Sequence, residues 1–508
     1  MRKWIIIFAC LAAALFLTAC DEEIQEIDEV VETVEKDKRK IQADIFPLNF
    51  EYAMDAGIRR REAITKPDYT ILLAMIEGHT PMPNHPVGFW NPPDNPPHRV
   101  ATAAAVVDVW SLVALMRDVY GGYMYFGGDE VFSAMLTHIV QELFAIDDHS
   151  ILTSDFLDIL YRHLSEIIVD NHLRLDDRRL GADVAFYHGH GLAYDRSDNG
   201  FRCRVTGMYL MEIEGHVPEE VMRLHVDGMG RMSYSPVVLL PRSLFTSNIY
   251  MTYEDGKRRS RTFFKEVIPG QREVQLPSLK FINDIPVVTV MSMGFDGHEN
   301  AWRLNHAAPF LEFAEQLRDE PVVIVDIRGN RGGNVLLSTR WLYALTGELV
   351  PFNYVALTTQ PPNSAVFRFN PNNIFQNPPG AWETYISLKP FGDGYTISGN
   401  EPRKIIEREQ KLIVLTDRNT VSAAEGFVDS IFNVTNTLVI GTPTGGMLAF
   451  DTAYANMYLP NTGIPLGLGR TKMLWPEDHF AESVGIMPDV WVAGDALAAA
   501  LALVNNAD

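Results

Sequence analysis

The stretch between residues 412 and 447 constrains the fold more than any other part of the chain. An apolar run over 412–415 is followed by a polar turn, and a helical pattern then begins at Ser422. A second apolar run, 438–440, closes at Gly441. This order predicts strand, turn, helix and strand. The chain therefore builds at least part of its core as packed α and β layers.

Ser422 stands at the first turn of that predicted helix, directly after a buried strand and its turn. The free N–H groups at a helix start point at any negative oxygen that develops beside the serine hydroxyl, which suits a nucleophile. Serine is also a common N-cap residue, and spacing alone leaves both roles open.

A second strand-loop-helix unit precedes this one. The apolar run 322–327 ends in the loop RGNRGGN, and a helical pattern follows through Leu336, Trp341 and Leu342. Glycines in such a loop let the backbone approach a ligand and direct N–H groups at it, although a plain strand-to-helix turn has the same composition. Two such units place both loops at one edge of a parallel sheet, where α/β proteins bind ligands.

Four sequence blocks occur in a fixed order in the last part of the chain: VVIVDIRGNRGGN, LIVLTDRNTVSAAEGF, VIGTPTGG and VGIMPDVWV. Together they resemble the tail-specific (C-terminal processing) serine peptidases and their tricorn-core relatives. The resemblance implies an α/β catalytic core with a ClpP/crotonase-like sheet and helices. It also implies that Ser422 is the nucleophile. The oxyanion hole would consist of the backbone N–H of Ala423 and of one glycine of the pair Gly332 and Gly333.

The sequence departs from the best-known branch of this family at the catalytic base. Those enzymes use a lysine after the T-x-G block, but here Met447 follows the block and the next lysine, Lys472, lies well outside it. Methionine cannot accept a proton, and serine needs a base within hydrogen-bond reach. Either another base serves or the chain is catalytically inactive.

The tricorn-like branch uses a histidine and a glutamate instead. Residues 156–175 read as a helical segment ending in DNHLRL, which resembles that branch's D-G-H-T-x-L motif. The resemblance makes His172 the general base and Glu482 the acid that orients it. Asn171 replaces the small residue usual before the histidine. Without the resemblance, His172 is a solvated helix end and Glu482 a solvated loop carboxylate.

Two alternatives stay open. His298, in a glycine-flanked loop after the strand-like run 286–293, is a rival base in the same part of the chain, although its loop does not resemble the family motif. The chain could also be an inactive peptidase homologue, a lipoprotein that keeps the groove to bind peptides or other ligands. The joint presence of the serine, the glycine loop, His172 and Glu482 favours the peptidase.

No metal and no other cofactor is expected. His188 and His190 offer two ligands, whereas zinc sites need three or four. Of the three cysteines, Cys203 lies in a strand-like run without a helix start beside it and is interpreted as structural.

The N-terminus predicts export. Residues 1–20 combine a positive start, an apolar run and a Leu-Thr-Ala-Cys ending, the pattern of a bacterial lipoprotein signal peptide. Cys20 would be lipidated, and the protein would be an extracytoplasmic, membrane-anchored lipoprotein of the cell envelope. The densely charged stretch 21–45 would act as a spacer.

The length of the chain and its net charge limit the number of domains and the kinds of partner that can be expected. A chain of 508 residues is expected to form two or three domains. We predict a helical domain over 46–175, a small β-rich module over 176–275 in which a peptide-binding PDZ fold is doubtful, and the peptidase core over 276–508. A net charge of −22 argues against nucleic acid and anionic membrane surfaces as partners. Peptide or protein substrates remain, with the membrane reached only through the lipid anchor.

Overall fold

The apolar runs of the sequence form the strands of one large mixed sheet in the computed structural model. The structure describes residues 52–54, 64–68, 70–79, 94–189, 191–226, 231–270, 273–294, 300–359, 389–391, 395–399, 403–451 and 454–505. The signal peptide with Cys20, the charged spacer, His190 and His298 lie outside these residues, so the predictions about them stay predictions.

Within the described residues, the helices are α1 (Thr70–Ile76), α2 (Thr102–Val119), α3 (Gly128–Phe144), α4 (Thr153–Ser165), α5 (Pro218–Val221), α6 (Asn300–Gln316), α7 (Val335–Thr346), α8 (Ala423–Ile431) and α9 (Ala496–Asn505). The strands of the first half are β1 (Arg99–Ala101), β2 (Ser150–Leu152), β3 (Asp170–Leu175), β4 (Arg178–Leu180), β5 (Val184–His188), β6 (Tyr194–Ser197), β7 (Gly200–Cys203), β8 (Tyr209–Ile213), β9 (Met222–Val226), β10 (Met232–Pro241), β11 (Thr246–Tyr253) and β12 (Arg258–Lys265). Those of the second half are β13 (Ser278–Ile282), β14 (Ile285–Thr289), β15 (Val322–Asp326), β16 (Val355–Thr359), β17 (Lys389–Phe391), β18 (Tyr395–Ser398), β19 (Lys411–Thr416), β20 (Thr437–Gly441), β21 (Tyr454–Tyr458), β22 (Pro465–Leu468), β23 (Thr471–Leu474) and β24 (Val490–Trp491).

Parallel strands form the centre of the largest sheet. β14, β15, β19, β20 and β24 lie side by side in parallel, with Ile324 opposite Ile413 and Val414 opposite Val439. These side chains are fully buried, as expected for parallel strands covered on both faces. Both predicted strand-loop-helix units are confirmed, as β15 with α7 and as β19 with α8, and their loops meet at the carboxyl edge.

The β-rich segment continues the same sheet. In the described part of the chain the strand order is β13-β14-β15-β19-β20-β24-β9-β10-β5-β12-β11-β8-β7-β6. A turn at 254–256 joins β11 to β12, and Gly256 there has a φ of 72°. The domain boundaries stay a prediction.

The first helices share a hydrophobic core with the sheet. Buried side chains of α2, α4, β19 and α8, such as Leu112, Phe156, Val414 and Phe427, belong to one continuous cluster. Phe427 also packs edge-on against the Trp341 ring, with 5.4 Å between ring centroids. α8 is thus held against both the sheet and α7.

The prediction of a helix through residue 175 is wrong. α4 ends at Ser165, and residues 170–175 form β3, which pairs with β4 and β22. Sheet pairing buries Leu173 and Leu175 completely and satisfies the backbone, which outweighs the helical spacing of the apolar residues. His172 therefore lies on a buried strand and not at a solvated helix end.

The region from 350 to 403 breaks the α/β alternation. Its described part gives β16, β17 and β18, which with β23 form a separate four-stranded sheet; residues 360–388 lie outside the description. Among the described residues, no helix combines the length and the apolar character needed to cross a bilayer.

Candidate active site

Ser422 adopts a backbone conformation that is rare for a residue with a side chain. It is the N-cap of α8 and has a φ of 56° and a ψ of −123°. Such a conformation costs about 1–3 kcal/mol and persists only where the surroundings enforce it. One restraint is a hydrogen bond from the Ser422 N–H to Oε2 of Glu425, at 2.9 Å. The strand-to-helix turn thus presents the serine at the carboxyl edge of the sheet.

Glu425 is the buried centre of this turn. Besides the Ser422 N–H, its carboxylate accepts hydrogen bonds from the N–H of Gly446 and of Met447, each at 2.8 Å, and from Oγ1 of Thr444 at 2.6 Å. Burial raises the pKa of Glu425, while these four donors oppose the shift. A single carboxylate therefore fixes the serine turn to the 444–447 turn.

The glycine loop lies directly against the serine. A Cβ atom on Gly332 would lie 2.7 Å from Cβ of Ser422 and 2.9 Å from the backbone nitrogen of Ala423, so only glycine fits. The Gly332 N–H donates to Oδ1 of Asn330 at 2.9 Å. Among the described residues, the N–H groups of Gly333 and Ala423 have no acceptor. Two free donors therefore lie close to this serine along the chain: the N–H of Ala423, the next residue, and that of Gly333, which follows Gly332 in the loop packed against the serine.

His172 is buried, with 6% of its surface exposed. Its Nδ1 has no hydrogen-bond partner in the described part of the protein. Burial lowers the pKa of His172 to about 4, and the positive charge of Arg179 adds to the shift. The imidazole is consequently neutral at pH 7 and able to accept a proton.

Glu482 is half-buried, and the protein binds both of its carboxylate oxygens, so it is not a freely solvated loop carboxylate. Its Oε1 accepts the Asn171 N–H at 2.8 Å and its Oε2 accepts the Ala449 N–H at 2.9 Å. Burial, and then the neighbouring Asp170 carboxylate, raise the pKa of Glu482. Both oxygens bind backbone groups, so the structure brings Glu482 beside the His172 strand without a direct hydrogen bond to the imidazole.

One turn connects the histidine strand with the serine. Nδ2 of Asn171 donates to the carbonyl of Gly446 at 2.7 Å, and the Gly446 N–H in turn binds Glu425. Met447, the last residue of this turn, donates its N–H to Glu425, and its Sδ lies 3.4 Å from Nη1 of Arg179. His172 and Ser422, 250 positions apart in sequence, are therefore anchored to the same short turn.

Sequence reasoning missed three buried charged residues around this site. Glu425 carries a detectable signal, because Ser-x-x-Glu is a capping-box pattern. Asp170 lies inside the histidine motif and accepts the N–H groups of His172 and Leu173. Lys472 gave no signal, since only the fold brings it near Asp170 and Glu482.

No cluster of metal-ligating residues occurs among the described residues. Cys203 is buried and unpaired, in agreement with a structural role.

A serine presented at a helix start, beside two free backbone donors and above a parallel sheet, is an arrangement that acyl-transfer enzymes use. Residues 284–492 match the model of peptidase family S41, which covers less than half of the chain. The protein is thus a serine peptidase, with a region similar to family S41.

Solved structures give distant likenesses. Mature CPAF is 14% identical, with 80% of this chain and 97% of that chain covered and a TM-score of 0.40. The photosystem II D1 C-terminal processing protease is 12% identical, with 78% and 94% covered and a TM-score of 0.34. The tricorn protease is 14% identical, with 80% and 37% covered and a TM-score of 0.35. No curated protein matches the chain.

Proposed function

We propose that the protein hydrolyses peptide bonds through an acyl-enzyme, with Ser422 as nucleophile, His172 as general base and Glu482 as the acid that supports the histidine. The observation that carries this proposal is the strained backbone of Ser422 beside the free N–H groups of Ala423 and Gly333. Strain of this kind at a helix start is typical of functional residues.

The reaction would take place in two halves. Oγ of Ser422 bonds to the peptide carbonyl carbon as His172 takes the hydroxyl proton; the C–N bond then breaks and the leaving amine receives that proton. Water next attacks the ester, His172 takes its proton and returns it to the serine, and a carboxylic acid leaves. The negative oxygen of each intermediate would bind the Ala423 and Gly333 N–H groups. Gly332 is the poorer donor, because its N–H binds Asn330.

The role of Glu482 would be electrostatic support. It accepts the N–H of Asn171, next to the histidine, and in its ionised form it would stabilise the imidazolium that forms in each half-reaction. Hydrogen bonds in substrate-free sites are often long and tighten when substrate binds, so the free Nδ1 of His172 agrees with this role.

A second candidate is an inactive homologue that binds peptides or other ligands. The observation that favours it is the unpartnered Nδ1 of His172 together with methionine at position 447. In this alternative Ser422 would not be activated.

A fluorophosphonate probe separates the two functions, because it reacts only with activated serines. We expect the mature chain to be labelled, and Ser422→Ala and His172→Ala to lose labelling to a similar degree, since members of a catalytic set act as a unit. Matched controls are Ser154→Ala and His163→Ala, an exposed serine and a histidine that pairs with Glu142. Absence of labelling in a folded wild type would support the binding function. Full labelling of His172→Ala would refute the assignment of His172 as the base, and His298 would be the next residue to test.

Membrane tethering is proposed on the lipoprotein-type signal ending at Cys20. We expect expressed full-length protein to fractionate with bacterial membranes and to incorporate labelled fatty acid. Cys20→Ser should abolish the incorporation; unchanged incorporation would exclude Cys20 as the lipidated residue.

A further inference from the structure

Lys472 is a buried cation behind the candidate active site. The residue is 5% exposed and lies on β23. Its Nζ is 4.3 Å from the centre of the Tyr125 ring and 4.5 Å from that of the Phe450 ring. Aromatic faces attract an ammonium group, most strongly where water is excluded. The position of this charge is therefore fixed by two rings.

One of these two rings, Phe450, is connected to Asp170 through Tyr120. The Phe450 ring stacks on the Tyr120 ring, with 5.7 Å between centroids, and the Tyr120 hydroxyl donates to Oδ2 of Asp170 at 2.9 Å. The other oxygen of Asp170 accepts the His172 N–H at 2.7 Å. One carboxylate thus connects these aromatic rings with the backbone of His172.

Backbone contacts lead from Lys472 to Glu482 as well. Lys472 forms an isolated antiparallel bridge with Phe450, and the next residue, Met473, donates its N–H to the carbonyl of Ala449. The Ala449 N–H binds Glu482, whose second oxygen accepts the Asn171 N–H. The buried carboxylate of Asp170 and the half-buried one of Glu482 therefore hold the backbone at His172 and at the residue before it, with one ammonium group nearby.

We propose that Lys472 is a positioning residue of the proposed active site. Its ammonium group, held between the two rings, keeps Asp170 and Glu482 ionised, and these two carboxylates hold the His172 strand. The inference rests on the proposed function. A protonated carboxyl oxygen becomes a donor and no longer accepts a backbone N–H, so loss of the charge would loosen this strand. Two like charges buried side by side are stable only with a compensating cation.

Other charged groups also face this cluster. Burial raises the pKa of Asp170 and of Glu482 and lowers the pKa of Lys472. The Lys472 charge opposes the shift of the Asp170 pKa, and both carboxylates oppose the shift of the Lys472 pKa. Glu425 adds negative charge near Glu482, and Arg179 adds positive charge near Asp170 and His172. Because these groups remain in any Lys472 variant, a change in pH dependence reports on the ammonium group itself.

The test is the pH profile of fluorophosphonate labelling and of kcat/KM on a peptide substrate. Lys472→Met keeps the length of the side chain and its contact with the rings, but it removes the charge. We expect the acid limb of the profile to move up by about one pH unit or more and the rate at pH 7 to fall at least tenfold, since an uncompensated carboxylate pair takes up a proton more readily. Lys472→Arg should keep the acid limb in place.

Lys404→Met is the matched control, because it removes one positive charge from an exposed surface pair with Glu348. An unchanged acid limb in a folded Lys472→Met variant would overturn the role of Lys472 while leaving the peptidase proposal intact. Absence of Ser422-dependent labelling in the wild type would instead refute the proposed function.

A double-mutant cycle in urea tests the pairing independently of activity. Lys472→Met and Glu482→Gln should each lower the unfolding midpoint, the second because its amide NH₂ would face a backbone N–H that the carboxylate now accepts. The double variant should lose less than the sum of the two single losses, because Glu482→Gln removes the charge that Lys472→Met leaves uncompensated. Additive midpoint shifts would overturn the proposal.

Discussion

At the scale of single residues, the site depends on buried polar groups that hold other residues in place. Ser422 keeps its left-handed backbone because Glu425 accepts its N–H, and Glu425 can do so because it is also bound by the 444–447 turn. The geometry of the proposed nucleophile is therefore set by a side chain that need not touch substrate.

Glu425→Gln should slow the reaction of Ser422 strongly, although it only replaces one carboxylate oxygen by an NH₂ group. The amide NH₂ of glutamine would face backbone N–H donors that the carboxylate now accepts, leaving buried donors unpaired at a cost of about 2–4 kcal/mol. We expect at least tenfold slower fluorophosphonate labelling and a lower urea midpoint. Glu130→Gln, on the exposed first turn of α3, should change neither. Wild-type labelling in Glu425→Gln would show that Ser422 needs no such restraint.

The buried His172 should make stability depend on pH. Its pKa in the folded protein is lowered to about 4, below the usual value of 6.5, so the unfolded chain takes up a proton first as the pH falls. The stabilisation is complete above pH 6.5 and is lost as the pH falls towards 4, by about 3 kcal/mol in all. Urea unfolding at pH 7, 5.5 and 4.5 should show a steeper loss for wild type than for His172→Gln. Parallel pH dependences would mean that His172 is not buried in its neutral form.

At the scale of elements, the parallel strands were predictable and the histidine strand was not. β15, β19 and β20 are runs of β-branched residues bounded by glycine turns, so local sequence and burial agree. In 166–175 the apolar residues fit a helix and a strand equally well, and pairing with the distant β22 decides for the strand. Partners such as Lys472 are likewise set by tertiary contacts that no local pattern encodes.

Packing between the glycine loop and the start of α8 gives a steric prediction. A methyl group on Gly332 would collide with Ser422, so Gly332→Ala should reduce labelling at least 100-fold, since an error of about 1 Å at a reacting atom has effects of that order. Gly347→Ala is the matched control, because Gly347 has a similar φ of 77° but no atom within 4 Å of its added Cβ. It should lower stability by about 1 kcal/mol and leave labelling unchanged. Labelling of Gly332→Ala as fast as that of Gly347→Ala would show that the close approach of Gly332 to Ser422 does not affect the serine.

At the scale of the whole molecule, the first helices and the sheet belong to one compact unit of residues 50–508. Asp108, fully buried on α2, accepts the N–H groups of Asn461 and Thr462, at 2.9 and 2.8 Å, and the Thr462 hydroxyl at 2.6 Å. Asn461 and Thr462 lie between β21 and β22, and β22 pairs with the His172 strand. A contact made by α2 therefore supports the strand of the proposed base.

Unfolding experiments test whether the first helices and the sheet unfold as one cooperative unit. Asp108→Asn leaves an amide NH₂ against buried donors and should cost about 2–4 kcal/mol. If the helices and the sheet unfold together, near- and far-ultraviolet circular dichroism should report one coincident transition, shifted as a whole in the variant. Asp155→Asn, on the exposed first turn of α4, should leave the midpoint unchanged. Two transitions, with only the earlier one shifted, would instead support an independent helical domain that ends near residue 175. In that case, labelling that persists after this domain has unfolded would show that His172 is not the base.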